Sequence, residues 1–188
     1  MARLLFMLCG VMCWGSTYCQ EKFLSVRDMM IDSLRLCNAD ERTVASLWGV
    51  PYKVSYGQSP VSTIGGGIDD TMLTSTVFYY SGCLLYFYTY EVSQWIYMAS
   101  LTGKERTLYV KNGKGFNVGD SLSAVLMGMK DYITPSISRR LQRDKSSVTF
   151  HTVIDEDVED CPMTGEITFI ANDEGIVTEI KIGMVKNR

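Results

Sequence analysis

The stretch Asn38-Ala39-Asp40-Glu41-Arg42-Thr43-Val44-Ala45-Ser46-Leu47-Trp48-Gly49-Val50-Pro51 decides how the chain reads. Its first four residues are a capping cluster, and Val44, Leu47 and Trp48 follow at three- and four-residue steps, one face of a helix. Gly49 and Pro51 end it, because glycine accepts the exit conformation and proline lacks the N–H a continuing helix needs. After Pro51 the period becomes two: Tyr52, Val54 and Tyr56 alternate with polar residues, as in a strand with one buried face. A short helix handing over to strands is the motif from which the rest is read.

Upstream, Phe23, Val26, Met30 and Leu34 recur at helical steps and predict a helix over residues 23–36, with Arg27, Asp28, Asp32 and Arg35 on its outer side. Downstream, residues 57–70 hold Gly57, Pro60 and Gly65-Gly66-Gly67 and read as a surface loop. Strands are expected over 74–81, 83–90, 93–101 and 106–111, divided by turn signals at Ser81-Gly82, Glu91-Val92 and Thr102-Gly103, with Asn112-Gly113 marking the next turn. A second helix starts where Asp120 or Ser121 can cap, with Leu122, Val125, Leu126 and Met129 as its apolar face. Beyond Pro135 and Arg139-Arg140, strands are expected over 148–154, 166–171 and 176–182, the last two joined at Asn172-Asp173-Glu174-Gly175. In the final strand Ile176, Thr178, Ile180 and Ile182 alternate with Val177, Glu179 and Lys181, one face packed and one wet.

Helix then strands, twice, about eighty residues apart from Val44 to Val125, predicts an α+β architecture. Its two helix-then-antiparallel-strand units would span residues 20–111 and 112–188 and form one compact body. Residues 1–19 read differently: Arg3, an apolar run from Leu4 to Trp14 and a short polar exit have the grammar of a secretion signal cleaved before Gln20. The run falls short of the roughly 20 residues a bilayer crossing needs, and no later segment approaches that length. Bulky Tyr18 argues against lipidation of Cys19. The mature chain is therefore expected in the periplasm or outside the cell.

Cleavage leaves 169 of 188 residues, enough for one well-cored domain. It removes one basic residue of 18 and none of the 21 acidic ones, for a net charge of −4. With no basic stripe, nucleic acid is not an expected partner. Three of the six cysteines remain, Cys37, Cys83 and Cys161, which allow at most one disulfide. Cys83 lies in an apolar strand pattern and is expected to be a small buried hydrophobe; which of the three pair is left open.

The run Leu36 to Pro51 resembles a phrase of small bacterial envelope proteins: a turn, a capped short helix carrying a valine, then Leu-x-Gly-x-Pro into a strand. The phrase is found in the small lipoprotein of outer-membrane assembly and, more loosely, in the β-lactamase-inhibitor-protein-like fold. Phe116-Asn117-Val118-Gly119-Asp120-Ser121-Leu122-Ser123-Ala124-Val125 looks like a second copy of its beginning. The segments Ile167-Thr168-Phe169 and Gly175 to Ile180 are similar to the closing hairpin. The chain departs where Cys37 replaces a glycine and where the second helix lacks the Gly-x-Pro exit. The resemblance implies a tandem-repeat module that binds other proteins of the envelope.

Catalytic signatures are sparse. His151, the single histidine, falls on the strand face away from Val148 and Phe150, and no Gly-x-Ser-x-Gly or paired-cysteine motif accompanies it. The acidic run Asp155, Glu156, Asp157, Glu159, Asp160 lacks the glycine and terminal glutamate of a calcium loop and reads as a solvated tip. Gly65-Gly66-Gly67 has no following Lys-Ser/Thr, and Asp69-Asp70 opposes an anion there. No catalytic residue, metal ligand or cofactor is assigned. The aromatic segment stands out: Tyr86, Tyr88 and Tyr90 share the strand face opposite Cys83, Leu85 and Phe87, and Tyr97 follows nearby. Tyrosine joins a large apolar ring to a polar tip, which suits a surface wet part of the time. These four form the candidate protein-binding surface, against the alternative of a sheet covered on both faces. The expected function is a non-catalytic binding module with a secreted or envelope protein as partner. A hydrolase with an unrecognised site and a small-ligand or lipid carrier are the alternatives.

Overall fold

A computed structural model describes residues 24–37, 39–62, 68–90, 93–110, 114–132, 140–142, 145–152 and 163–186. The segment read as a signal, the glycine triplet, Cys161 and the acidic run all lie outside the described residues.

Two antiparallel sheets account for most of the structure. The strands are β1 (Met30–Ile31), β2 (Leu34–Arg35), β3 (Lys53–Ser62), β4 (Ile68–Tyr80), β5 (Cys83–Tyr90), β6 (Ser93–Leu101), β7 (Leu108–Val110), β8 (Lys114–Phe116), β9 (Arg140–Gln142), β10 (Lys145–His151), β11 (Met163–Ala171) and β12 (Val177–Lys186). Two α-helices are described, α1 (Glu41–Trp48) and α2 (Leu122–Gly128), with single 3-10 turns at Val26–Asp28 and Lys130–Tyr132. The large sheet has the order β3-β4-β5-β6-β12-β11-β10-β9 and the small one β2-β1-β7-β8.

This overturns the α+β reading as two helix-then-strand units. The two strand runs merge edge to edge, through β6 and β12, into one eight-stranded sheet. The strand expected over 106–111 belongs to the other sheet, where β7 pairs with β8 and with β1. The helix predicted over 23–36 is absent: in place of it stand a 3-10 turn and the short β1–β2 hairpin. The reason lies in residues the helical stripe leaves out. Leu24, Met29, Ile31 and Leu36 are fully buried along with Val26 and Leu34, which no single helix face accommodates. The segment turns at Asp32, a non-glycine residue with φ of 52°, and Asp32 Oδ1 accepts from the Thr107 N–H at 3.0 Å.

α1 forms as its caps dictate. Asp40 Oδ1 accepts from the Thr43 N–H at 2.7 Å, and hydrogen bonds from the Thr43 side chain first and its N–H second hold the carboxyl below its ordinary pKa. Gly49, at φ 78°, closes the helix, and the Tyr80 hydroxyl donates to its carbonyl at 2.9 Å. α2 is capped by Ser121, while Asp120 instead accepts from the Asn117 N–H at 2.8 Å. The loop expected over 57–70 is largely strand: β3 and β4 form a long hairpin at the sheet edge, and Pro60 sits at its bulge, where a missing N–H is tolerated.

The core lies on one face of the large sheet. Phe78, Leu85, Phe87, Ile96, Leu101, Phe150, Phe169, Ile180 and Ile182 join Val44, Val125 and the N-terminal apolar residues in one buried cluster. Each such large side chain contributes roughly 1.5–3 kcal/mol by leaving water. In β12 the predicted alternation slips: Ala171 pairs with Val177 but Ile170 with Glu179, so the bulge turns Val177 into the core and leaves Thr178 exposed.

Candidate functional site

The other face of the large sheet carries the tyrosines. On β5, Cys83, Leu85 and Phe87 are buried while Leu84, Tyr86 and Tyr88 are only half-buried, as the period-two pattern predicts. Tyr79 on β4 pairs with Leu84 and shares this face. Tyr90 pairs with Ser93 at the strand end, and its side chain is outside the described residues.

Tyr97 reaches the same face by a different route. Ala99 and Leu101 are buried, so strict alternation would send Tyr97 inward with them. The β5–β6 register breaks here: Tyr86 pairs with Met98 and Phe87 with Ile96, leaving Tyr97 as the extra residue of a bulge. A bulge re-aims a side chain and bends its strand. Tyr97 accordingly stacks on Tyr88, with ring centroids 3.6 Å apart and planes 8° apart, and meets Tyr86 edge-on at 6.0 Å. Partial burial, the neighbouring Tyr88 and the hydrogen bond donated to it hold the Tyr97 hydroxyl neutral, pushing its pKa up to about 12. Burial, Tyr79 and Glu179 raise that of Tyr86.

Charged groups frame this patch. Lys53 Nζ sits 4.7 Å from the Tyr79 ring centre, a cation–π contact. Glu179 accepts from the Ser100 hydroxyl at 2.7 Å and pairs with Lys181 at 3.5 Å. Beside the tyrosines the face opens into a shallow groove of about 530 Å³ whose lining includes Tyr97, Met98, Gly183, Val185, Glu166 and His151. Gly183 lies between Met98 on β6 and Glu166 on β11, so the row has no side chain at its middle position. His151 is on the open face as expected, with Nδ1 3.8 Å from a Glu166 carboxylate oxygen. Gly183, Glu166 and Met98 were not singled out from the sequence; a lone glycine within a strand pattern is the signal that marks such a place.

Elsewhere, Cys83 is buried and free, and burial pushes its thiol up to about 12. Cys37 is disulfide-bonded. Among the described residues no group of three or more His, Cys, Asp or Glu side chains is arranged to hold a metal, and no helix is long and apolar enough to cross a membrane. Compared with known proteins, the chain matches no family model, no curated protein and no solved structure.

Proposed function

We propose that this chain is an exported, non-catalytic binding protein that engages another envelope or secreted protein through its tyrosine face. The observation that carries this reading is the bulge at Tyr97. It diverts a large ring from the core onto Tyr88 and Tyr86, at the cost of regular pairing between β5 and β6. Bulges of this kind collect where a side chain must be aimed at something. Rigid aromatic rings with polar tips supply contact area at low entropic cost, which is why they dominate binding hot spots. Export rests on the three-part N-terminal segment, and an envelope setting also on the likeness of residues 36–51 to envelope modules.

The test is a crosslinked pull-down of the tagged full-length protein from its native envelope, beside Tyr88→Ala. A stoichiometric partner that Tyr88→Ala loses, with the thermal midpoint kept within a few degrees, supports the reading. Retention of every partner by Tyr88→Ala, or loss only in proportion to unfolding, makes the rings structural and overturns it.

A further inference from the structure

The groove starts at the seam between β6 and β12, at Tyr97 and Met98, and crosses β12 to Glu166 on β11 and His151 on β10. Strands β6 and β12 pair from Leu101–Ile180 to Met98–Gly183 and no further, although β6 extends back to Ser93 and β12 on to Lys186. On their outer sides both remain paired, β6 with β5 as far as Ser93 and β12 with β11 as far as Lys186. The pairing ends next to the Tyr97 bulge, which bends β6 away. Past Met98 and Gly183 the two strands therefore present facing edges that do not hydrogen-bond each other, and such edges are templates for an added strand.

The chemistry of the seam sets what fits it. Gly183 supplies a floor of bare backbone between Met98 and Glu166. Glu166, its side chain 52% exposed, has His151 Nδ1 3.8 Å away, beyond hydrogen-bond range. The nearby Lys181 is engaged by Glu179. On the β6 side the groove is walled by Tyr97, which Tyr86 meets edge-on from outside the groove, and the same face already holds one ammonium over a tyrosine, Lys53 on Tyr79. The chain as a whole is acidic, with a net charge of −3.

Resting on the binding reading above, we infer that this seam is a docking slot for an extended segment of the partner polypeptide. The segment's main chain enters where β6 and β12 stop pairing with each other, past Met98 and Gly183, and one lysine or arginine side chain lies between Tyr97 and Glu166. Aromatic faces and a carboxylate together select a cation over an anion or an apolar side chain.

The glycine floor allows a clean test. A Cβ on Gly183 would meet Glu166 Cγ at 3.5 Å, ordinary contact, so Gly183→Val fills the slot and Gly183→Ala is a gentler version. Phage-displayed random peptides are panned on the full chain, and the enriched sequences are synthesised. Their binding is measured by intrinsic fluorescence on the wild type, Gly183→Val, Gly183→Ala, Glu166→Lys and Tyr88→Ala, each first checked by thermal melting. Enriched peptides are expected to carry Lys or Arg, to bind about tenfold more weakly to Gly183→Val and Glu166→Lys, and to gain amide-exchange protection when bound. Enrichment without a basic preference, undiminished binding to Gly183→Val, or no enrichment at all overturns the slot. If those peptides still lose affinity on Tyr88→Ala, the tyrosine face stands as a binding surface without it; if they lose none, both readings fall.

Discussion

Tyr97 lies flat on Tyr88, 3.6 Å between ring centres, although the pleat alone would point it into the core with Ala99. Tyr97 loses its proton near 12 where a free tyrosine does so at 10, because it is partly buried and donates to Tyr88. The native state thus holds this proton more tightly than the unfolded chain. The stability it contributes is whole below pH 10 and drains away as pH rises from there toward 12. Tyr88→Phe keeps the ring and removes the acceptor. Its ultraviolet titration at the tyrosinate band is expected to show one phenol ionising earlier than in the wild type, yet still later than free tyrosine, since burial persists. An unchanged curve refutes the pairing.

Arg106 pins three elements together. Its guanidinium lies 4.1 Å from the Trp48 ring centre on α1 and 5.9 Å from that of Tyr80 on β4, and it reaches Asp32, in the β1–β2 turn, at 2.8 Å. The pair is largely shielded, so it counts for more than a surface ion pair. Arg106→Ala is expected to cost about 2 kcal/mol in a urea melt. Arg106→Lys recovers only part of that, because an ammonium keeps the charge but not the flat stacking surface. Full recovery by lysine would reduce the interaction to simple charge.

Gly165 and Gly183 sit one residue apart in the β11–β12 register and are predicted to behave oppositely. A Cβ on Gly165 would collide with the backbone carbonyl of Gly183, whereas one on Gly183 meets only the Glu166 side chain at contact distance. Gly165→Ala should lower stability by about 2 kcal/mol or more through strand displacement. Gly183→Ala should be neutral or slightly stabilising, because alanine has less backbone freedom to lose. Differential scanning calorimetry on the pair separates the two; similar losses would contradict the geometry.

Cys83 is 1% exposed, with a thiol raised to about 12 by burial. At pH 8 it stays protonated and covered, so iodoacetamide should label it only as fast as the protein unfolds. Above about pH 9 the unfolded chain ionises this thiol while the native state does not, so stability falls with rising pH across that range. Cys37 should stay unlabelled until reductant is added, because it is disulfide-bonded. Rapid native labelling of Cys83 would show the core strand opening locally.

How far the sequence could be read depended on which interactions were local. α1 was legible because its signals are all within a few residues: Asp40 caps Thr43, and Gly49 and Pro51 stop it. The two faces of β5 were legible because Cys83, Leu85 and Phe87 alternate without interruption with Tyr86 and Tyr88. Residues 23–36 misled because helical and extended patterns both fit so apolar a run, and the choice was made by remote partners. Thr107 and Arg106 hold Asp32 at the turn, and Tyr109 pairs with Met30. The site was half legible. Tyr86 and Tyr88 follow from alternation, but the groove depends on the bulge at Tyr97 and on the meeting of β12 with β6, a pairing between residues some eighty positions apart.

That meeting has a mechanical side. Leu101 to Met98 against Ile180 to Gly183 is a joint four residues long. Among the described residues it is the one strand ladder linking the β3–β6 run to the β9–β12 run. The two runs are nonetheless not joined by that line alone, because a single buried cluster packs beneath both and includes Ala99 on one side of the joint and Ile182 on the other. The ladder is stitched from above by hydrogen bonds and glued from below by the core, so a cavity cut under Ala99 or Ile182 loosens the same joint that borders the groove.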